Sequence, residues 1–188
     1  MKQALLLTYD TFADFEVMIL LTCIDSKYQI NSFTVENEIR PIQSCAGLQV
    51  IPHLTIDQVN PENFDVLIIP GGNPAPLLDN SNLKKIVQHF YREKKQIAAI
   101  CGGPAILGAA GILEEVKYTA SIDTDDPLYS HVLVPKNQVK EHLVIDKNVI
   151  TSTGSNYLNF AEAVLRNTGV FTEDLKDPLA YFRVPSLG

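Results

Sequence analysis

Two short apolar runs constrain this chain more than any other feature. VLII, within residues 65–69, and IAAI, within 96–100, show no polar alternation. Each stops at a glycine pair, Gly71-Gly72 after Pro70 and Gly102-Gly103 after Cys101. A strand with one wet face alternates; an unbroken apolar run of this length reads as a strand covered on both faces. Such strands belong to the middle of a mostly parallel sheet with helices on either side. Further strands are expected at 3–9, 28–35, 118–121, 138–145 and 149–153. Helices are expected at 14–25 with Asp14 as N-cap, at 82–95, at 104–113 with Pro104 in its first turn, at 157–167, and briefly at 172–176. Residues 38–45 and 48–52 flank Ala46-Gly47 as a small hairpin arm. Strands alternating with helices make this an α/β protein, a three-layer sandwich around a mostly parallel central sheet. No linker or repeat divides the chain, so residues 1–188 read as one domain.

The charge balance narrows the partners. A net charge of −7 and a pI near 5.0 leave no basic patch for nucleic acid or an anionic membrane surface. The apolar run at 4–8 is too short for a signal h-region, and no stretch reaches the length of a membrane span. Cys23, Cys45 and Cys101 are odd in number and lack CxxC spacing, which points to free thiols in a reducing, cytoplasmic setting. Clustered Cys and His ligands for a structural metal are absent, and so are GxGxxG or GxxxxGK[ST] phosphate loops. No metal and no cofactor is expected.

The chemistry centres on Ile97-Ala98-Ala99-Ile100-Cys101-Gly102-Gly103-Pro104, a strand, a tight turn and a helix start. A side chain on such a nucleophile elbow is presented at the sheet edge. The helix N-terminus is expected to lower the Cys101 thiol pKa, and the Gly102 N–H to face a developing oxyanion. Ligands of open parallel sheets bind at the carboxyl ends of the strands. Gly71 and Gly72, which end the neighbouring strand, are therefore candidates for oxyanion or substrate contact. Glu16 lies in the first turn of a helix that is otherwise apolar on all sides. A carboxyl there is either protonated or paired, or it simply serves the helix dipole. Position alone leaves these alternatives open.

Glu16 in the first helix, IIPGG at 68–72, AAICGGP at 98–104 and the glycine turn Thr153-Gly154-Ser155 before the last long helix together resemble the DJ-1/PfpI superfamily. The resemblance covers nearly the whole chain. It implies a flavodoxin-like fold, a homodimer, and a cysteine paired with the first-helix glutamate. On that pattern Glu16 hydrogen-bonds Cys101 and tunes its ionisation and oxidation.

The pattern also breaks. The protease-like branch carries a His directly after the nucleophile, where this chain has Gly102, and the peptidase reading loses its base. The late His-x-Glu pair of the related class I glutamine amidotransferases is missing around His142. Several relatives place a His in the loop after the strand at 118–121, which makes His131 the candidate base. Two functions fit. One is a cysteine-dependent enzyme acting on a small carbonyl or amide-type substrate by hydrolase, hydratase or glyoxalase-like chemistry. The other is a non-catalytic oxidative-stress or redox sensor in which Cys101 is oxidised to sulfinic acid. The apolar tail at 178–185 is expected to pack on its own domain.

Overall fold

The structure is a computed structural model, and it describes residues 1–174 and 176–183. Seven strands form the central sheet: β1 (Lys2–Thr8), β2 (Tyr28–Thr34), β5 (Leu54–Thr55), β6 (Val66–Ile69), β7 (Gln96–Ile100), β8 (Leu143–Asp146) and β9 (Val149–Ser152), in the order β5-β2-β1-β6-β7-β9-β8. All neighbours pair in parallel except β8 with β9. The apolar runs lie at the centre, as their composition requires. Period-two alternation sorts them onto two faces. Leu5, Leu7, Leu67, Ile69, Ile97 and Ala99 join one core, and Ala4, Leu6, Val66, Ile68, Ala98 and Ile100 the other.

The helices cover these faces. Leu83, Val87 and Phe90 of α2 (Ser81–Arg92) and Ile106 of α3 (Pro104–Ala109) fill the first core. Leu20 and Ile24 of α1 (Met18–Ile24) and Phe160 and Val164 of α4 (Tyr157–Asn167) fill the second. The helix expected at 82–95 runs from Ser81 to Arg92, and its start is fixed by Asn80, whose side chain accepts the Leu83 N–H at 2.9 Å. The hairpin arm is β3 (Ile42–Gln43) with β4 (Gln49–Val50), turning at Gly47 with φ +85°.

Three expectations need correcting. The strand at 118–121 is one isolated bridge, Tyr118 to Gln138, and of 138–145 only the end pairs, within β8. The backbone donors of 118–121 are committed elsewhere: Thr119 N–H goes to Thr151 Oγ1 and Ser121 N–H to the Cys101 carbonyl. The helix from 104 stops at Ala109, because Gly111 takes φ +82° before a 3-10 turn at Ile112–Glu114. The segment at 172–176 includes residue 175, which lies outside the described residues; 173–174 form a turn. Of the tail, Leu179 is fully buried and Phe182 packs on the second core, while Tyr181 is exposed. Residues 184 and 185 lie outside the described part.

Candidate active site

Cys101 adopts φ +60°, a conformation that costs a non-glycine residue about 1–3 kcal/mol and persists only where the surroundings impose it. They do so here. Its N–H donates to the Ser152 carbonyl at 2.8 Å, its carbonyl accepts the Ser121 N–H at 2.9 Å, and Gly103 N–H closes the turn onto Ile100 at 2.8 Å. The thiol therefore stands at the carboxyl end of β7, partly buried, at the elbow that the sequence indicated.

Glu16 reaches it from β1. The expected helix at 14–25 is broken: Asp14–Glu16 form a single 3-10 turn, Val17 turns away with φ −119°, and α1 starts at Met18. Asp14 is not an N-cap. It accepts the Ser44 hydroxyl at 2.6 Å, the Phe15 N–H at 3.0 Å and the Cys45 thiol at 3.5 Å. Those bonds hold the turn so that Phe15 faces outward and Glu16 inward, leaving Glu16 3% exposed. Its Oε2 accepts the Gly71 N–H at 2.8 Å, and its carboxyl and the Cys101 sulfur both crowd the Gly71 and Gly154 backbones.

Two glycines wall this pair. A Cβ on Gly71 would sit 2.5 Å from Cys101 Cβ and 2.6 Å from Glu16 Oε2. A Cβ on Gly154 would sit 2.7 Å from Glu16 Oε1 and 3.0 Å from Cys101 Sγ. The acid and the thiol are thus clamped between two backbones, one after β6 and one after β9. This is the carboxyl edge of the sheet, where β1, β6, β7 and β9 all end.

The electrostatics reverse one expectation. Burial, then the Glu16 charge and the Glu16 hydrogen bond, push Cys101 up to about 11, against weaker help from Ser121 and the Gly102 N–H. The helix N-terminus does not win, because α3 is only six residues long and opens on Pro104, which has no N–H. Burial also raises Glu16, against its hydrogen bonds with Cys101 and Gly71. Burial comes first in raising both groups, and Cys101 is raised further by the Glu16 charge, so the pair is best served by a single negative charge. A proton on Glu16 removes its repulsion and makes the carboxyl a donor to sulfur.

Three side chains that sequence reading passed over complete the site. Ser121 lies beside Cys101: its N–H donates to the Cys101 carbonyl and its Oγ accepts the Gly154 N–H, each at 2.9 Å, and its hydroxyl favours the ionised thiol. Tyr9 donates to the Gly71 carbonyl at 2.7 Å and buttresses the peptide that holds Glu16. Tyr129, whose hydroxyl lies within reach of the Cys101 charge, donates to Asn73 Oδ1 at 3.1 Å. The only hint of Ser121 in the sequence was a small hydroxyl residue at the end of the misread strand. The loop sends Tyr129 inward and not His131, which is exposed and has no hydrogen-bond partner among the described residues. The expected glycine donors divide. Gly71 N–H is engaged by Glu16 and is unavailable to an oxyanion. Gly102 N–H faces the sulfur. Gly72, exposed beside it, directs its carbonyl toward Gly102 and has no acceptor for its N–H among the described residues.

A cleft of about 650 Å³ adjoins this edge, lined in part by Thr119, Asp123, Gln138, Lys140, His142 and Thr153. Cys101 is not in its lining. Among the described residues no three His, Cys, Asp or Glu side chains are grouped to hold a metal ion, and no helix is long and apolar enough to cross a membrane.

Comparison with known proteins places the chain. The DJ-1/PfpI family model matches residues 2–167. Deglycase PfpI of Pyrococcus furiosus is 35% identical over 107 residues, 56% of this chain and 63% of that one. The match thus spans less than two thirds of the archaeal relative. The uncharacterized protease YdeA of Bacillus subtilis is 27% identical over 96% of this chain and 90% of its own. Among solved structures, the DJ-1 superfamily protein Atu0886 of Agrobacterium tumefaciens superposes with a TM-score of 0.79 at 27% identity, covering 93% of each chain. The flavodoxin-like sandwich is that of these neighbours.

Proposed function

Since this chain belongs to the DJ-1/PfpI family, we propose that it is a cysteine-dependent enzyme acting on a small carbonyl or amide-type substrate, with Cys101 as nucleophile and Glu16 as its proton partner. The observation that carries this is the enclosure: a buried carboxyl and a strained thiol placed together and clamped between Gly71 and Gly154. For an aldehyde the step balances without a leaving group. The thiol proton passes to Glu16, sulfur bonds to the carbonyl carbon, the C=O π pair moves onto oxygen, and Glu16 returns the proton to that oxygen. The Gly72 and Gly102 N–H groups flank the place where the oxyanion forms. The deglycase name of the archaeal relatives fits attack on a carbonyl-derived carbon.

The test is turnover of a panel of small aldehydes, dicarbonyls and amides. The expected result is consumption of at least one carbonyl, with turnover lost in Cys101→Ser and strongly reduced in Glu16→Gln. No turnover across the panel sinks the reading.

One observation favours the sensor alternative. No histidine among the described residues hydrogen-bonds Cys101, Glu16 or Ser121, so the site has no conventional base. Mild peroxide followed by mass spectrometry separates the two. Selective, stepwise oxygen addition at Cys101 in a protein without turnover is the sensor outcome. The assembly we propose, on the family pattern, is a homodimer, which sedimentation at micromolar concentration checks.

A further inference from the structure

We propose that Ser121 is the positioning residue of this site: its hydroxyl, oriented by the Gly154 N–H, directs a hydrogen bond at the Cys101 sulfur and so holds the thiolate in the place where a histidine would otherwise serve. The inference rests on Cys101 being the reactive group, as proposed above.

Two hydrogen bonds place Ser121 at the elbow. Its backbone N–H donates to the Cys101 carbonyl at 2.9 Å, which locks the two residues side by side at the strained turn. Its Oγ accepts the Gly154 N–H at 2.9 Å. That occupies one lone pair and leaves the hydroxyl proton free to turn toward the Cys101 sulfur, which itself lies close against Gly154. A hydroxyl that accepts one bond is a stronger donor in the next, so the Gly154 peptide polarises the Ser121 O–H toward sulfur.

The arrangement has a chemical logic. Glu16 donates to the thiolate only while it holds the shared proton; once ionised, it repels. Ser121 is neutral at every working pH, and its donation persists whichever partner has the proton. Ser121 is an exposed residue and Glu16 a buried one. The sulfur thus has a constant donor on an exposed residue and a switchable one on a buried residue.

The experiment is the pH profile of iodoacetamide alkylation at Cys101, read by mass spectrometry, which needs no substrate. Ser121→Ala removes the hydroxyl at an exposed position whose main-chain bond to Cys101 stays intact. It is expected to raise the alkylation midpoint by about one pH unit, roughly a tenfold loss of thiolate at a fixed pH below it. Ser121→Thr keeps the hydroxyl and is expected to recover most of that loss, with the melting temperatures of all three proteins alike. Coincident profiles for wild type and Ser121→Ala overturn the proposal while leaving Cys101 as nucleophile. So does a Thr variant as defective as Ala, since it would mean that packing and not the hydroxyl matters. A wild-type Cys101 that alkylates no faster than Cys45 overturns the parent reading, and this one with it.

Discussion

Two acid–thiol pairs sit side by side, and their acids are two residues apart. Asp14 holds Cys45, and Glu16 holds Cys101. Both carboxyls are 3% exposed. Burial raises each, yet Asp14 ends below its usual range because Ser44, Phe15 N–H and Cys45 all donate to it. Glu16 lies deeper, so burial weighs more on it, it has fewer donors, and it ends above its usual range. The difference decides the chemistry. Asp14 stays charged, and Cys45, raised by desolvation and then by Asp14, is kept a thiol. Glu16 can take the proton that Cys101 gives up. What makes an acid a proton partner for a nucleophile is the balance between how deeply it is buried and how many donors hold its charge.

The hardest blow to this comparison falls on the wall of the second pair. Gly154→Ala puts a methyl 2.7 Å from Glu16 Oε1 and 3.0 Å from the sulfur. One of the three must shift. Overpacking of this kind costs about 1–3 kcal/mol, and a displacement near 1 Å at a reacting group costs about a hundredfold in rate. Cys101 alkylation is expected to fall by about that factor while Cys45 alkylation is unchanged. Equal rates at Cys101 would mean that the enclosure is looser than its geometry.

Neutralising the acids one at a time should give opposite signs. Asp14 is lowered in the folded state, so its stabilisation is present above its unfolded pKa, about 3.9, and fades as pH falls through the folded value. Asp14→Asn is therefore expected to destabilise at pH 7 by about 1–2 kcal/mol, roughly 2–4 °C in Tm per kcal/mol, with the gap closing in acid. Glu16 is raised, so its protonated form favours the fold, and that contribution is lost as pH rises through the folded value. Glu16→Gln keeps an acceptor for the Gly71 N–H and removes the buried charge. Its Tm is expected to exceed that of wild type at pH 8 by a smaller margin, and to meet it near pH 4. The same sign of shift in both variants would erase the distinction drawn between the two acids.

How much of this was legible follows from which interactions are local. The apolar runs of β6 and β7 place themselves, since period and composition suffice. The elbow at Cys101 was readable for a similar reason, a polar group in a glycine-rich turn after an apolar strand, whereas the position of Glu16 left its role open and only the family resemblance paired it with Cys101. What was not readable depends on distant partners. The break at Val17 comes from Asp14 being drawn to Ser44 and Cys45 of the hairpin arm. The segment at 118–121 looks like a strand but has its donors drawn off by Thr151 and Cys101. That misreading hid Ser121 and turned attention to His131, ten residues on and facing solvent. Gly154 was noticed as a turn, whereas its importance lies in what a side chain there would strike.

The smallest expected effect is the cleanest check of the comparison. Cys45 is an exposed residue, and exposure alone would make it the more accessible thiol. If the donors around each acid govern reactivity, Cys45→Ser should leave the Cys101 alkylation midpoint within about 0.3 pH unit of wild type, small against the single-unit shift of one lost hydrogen bond. The serine hydroxyl still donates to Asp14, so the turn that aims Glu16 inward should keep its shape, with stability within about 0.5 kcal/mol of wild type, as for most surface substitutions. A larger shift at Cys101 would mean that charge on Cys45 is felt there, a coupling already faint in the rise that Glu16 imposes on Cys45. The two pairs would then titrate as one site of four groups.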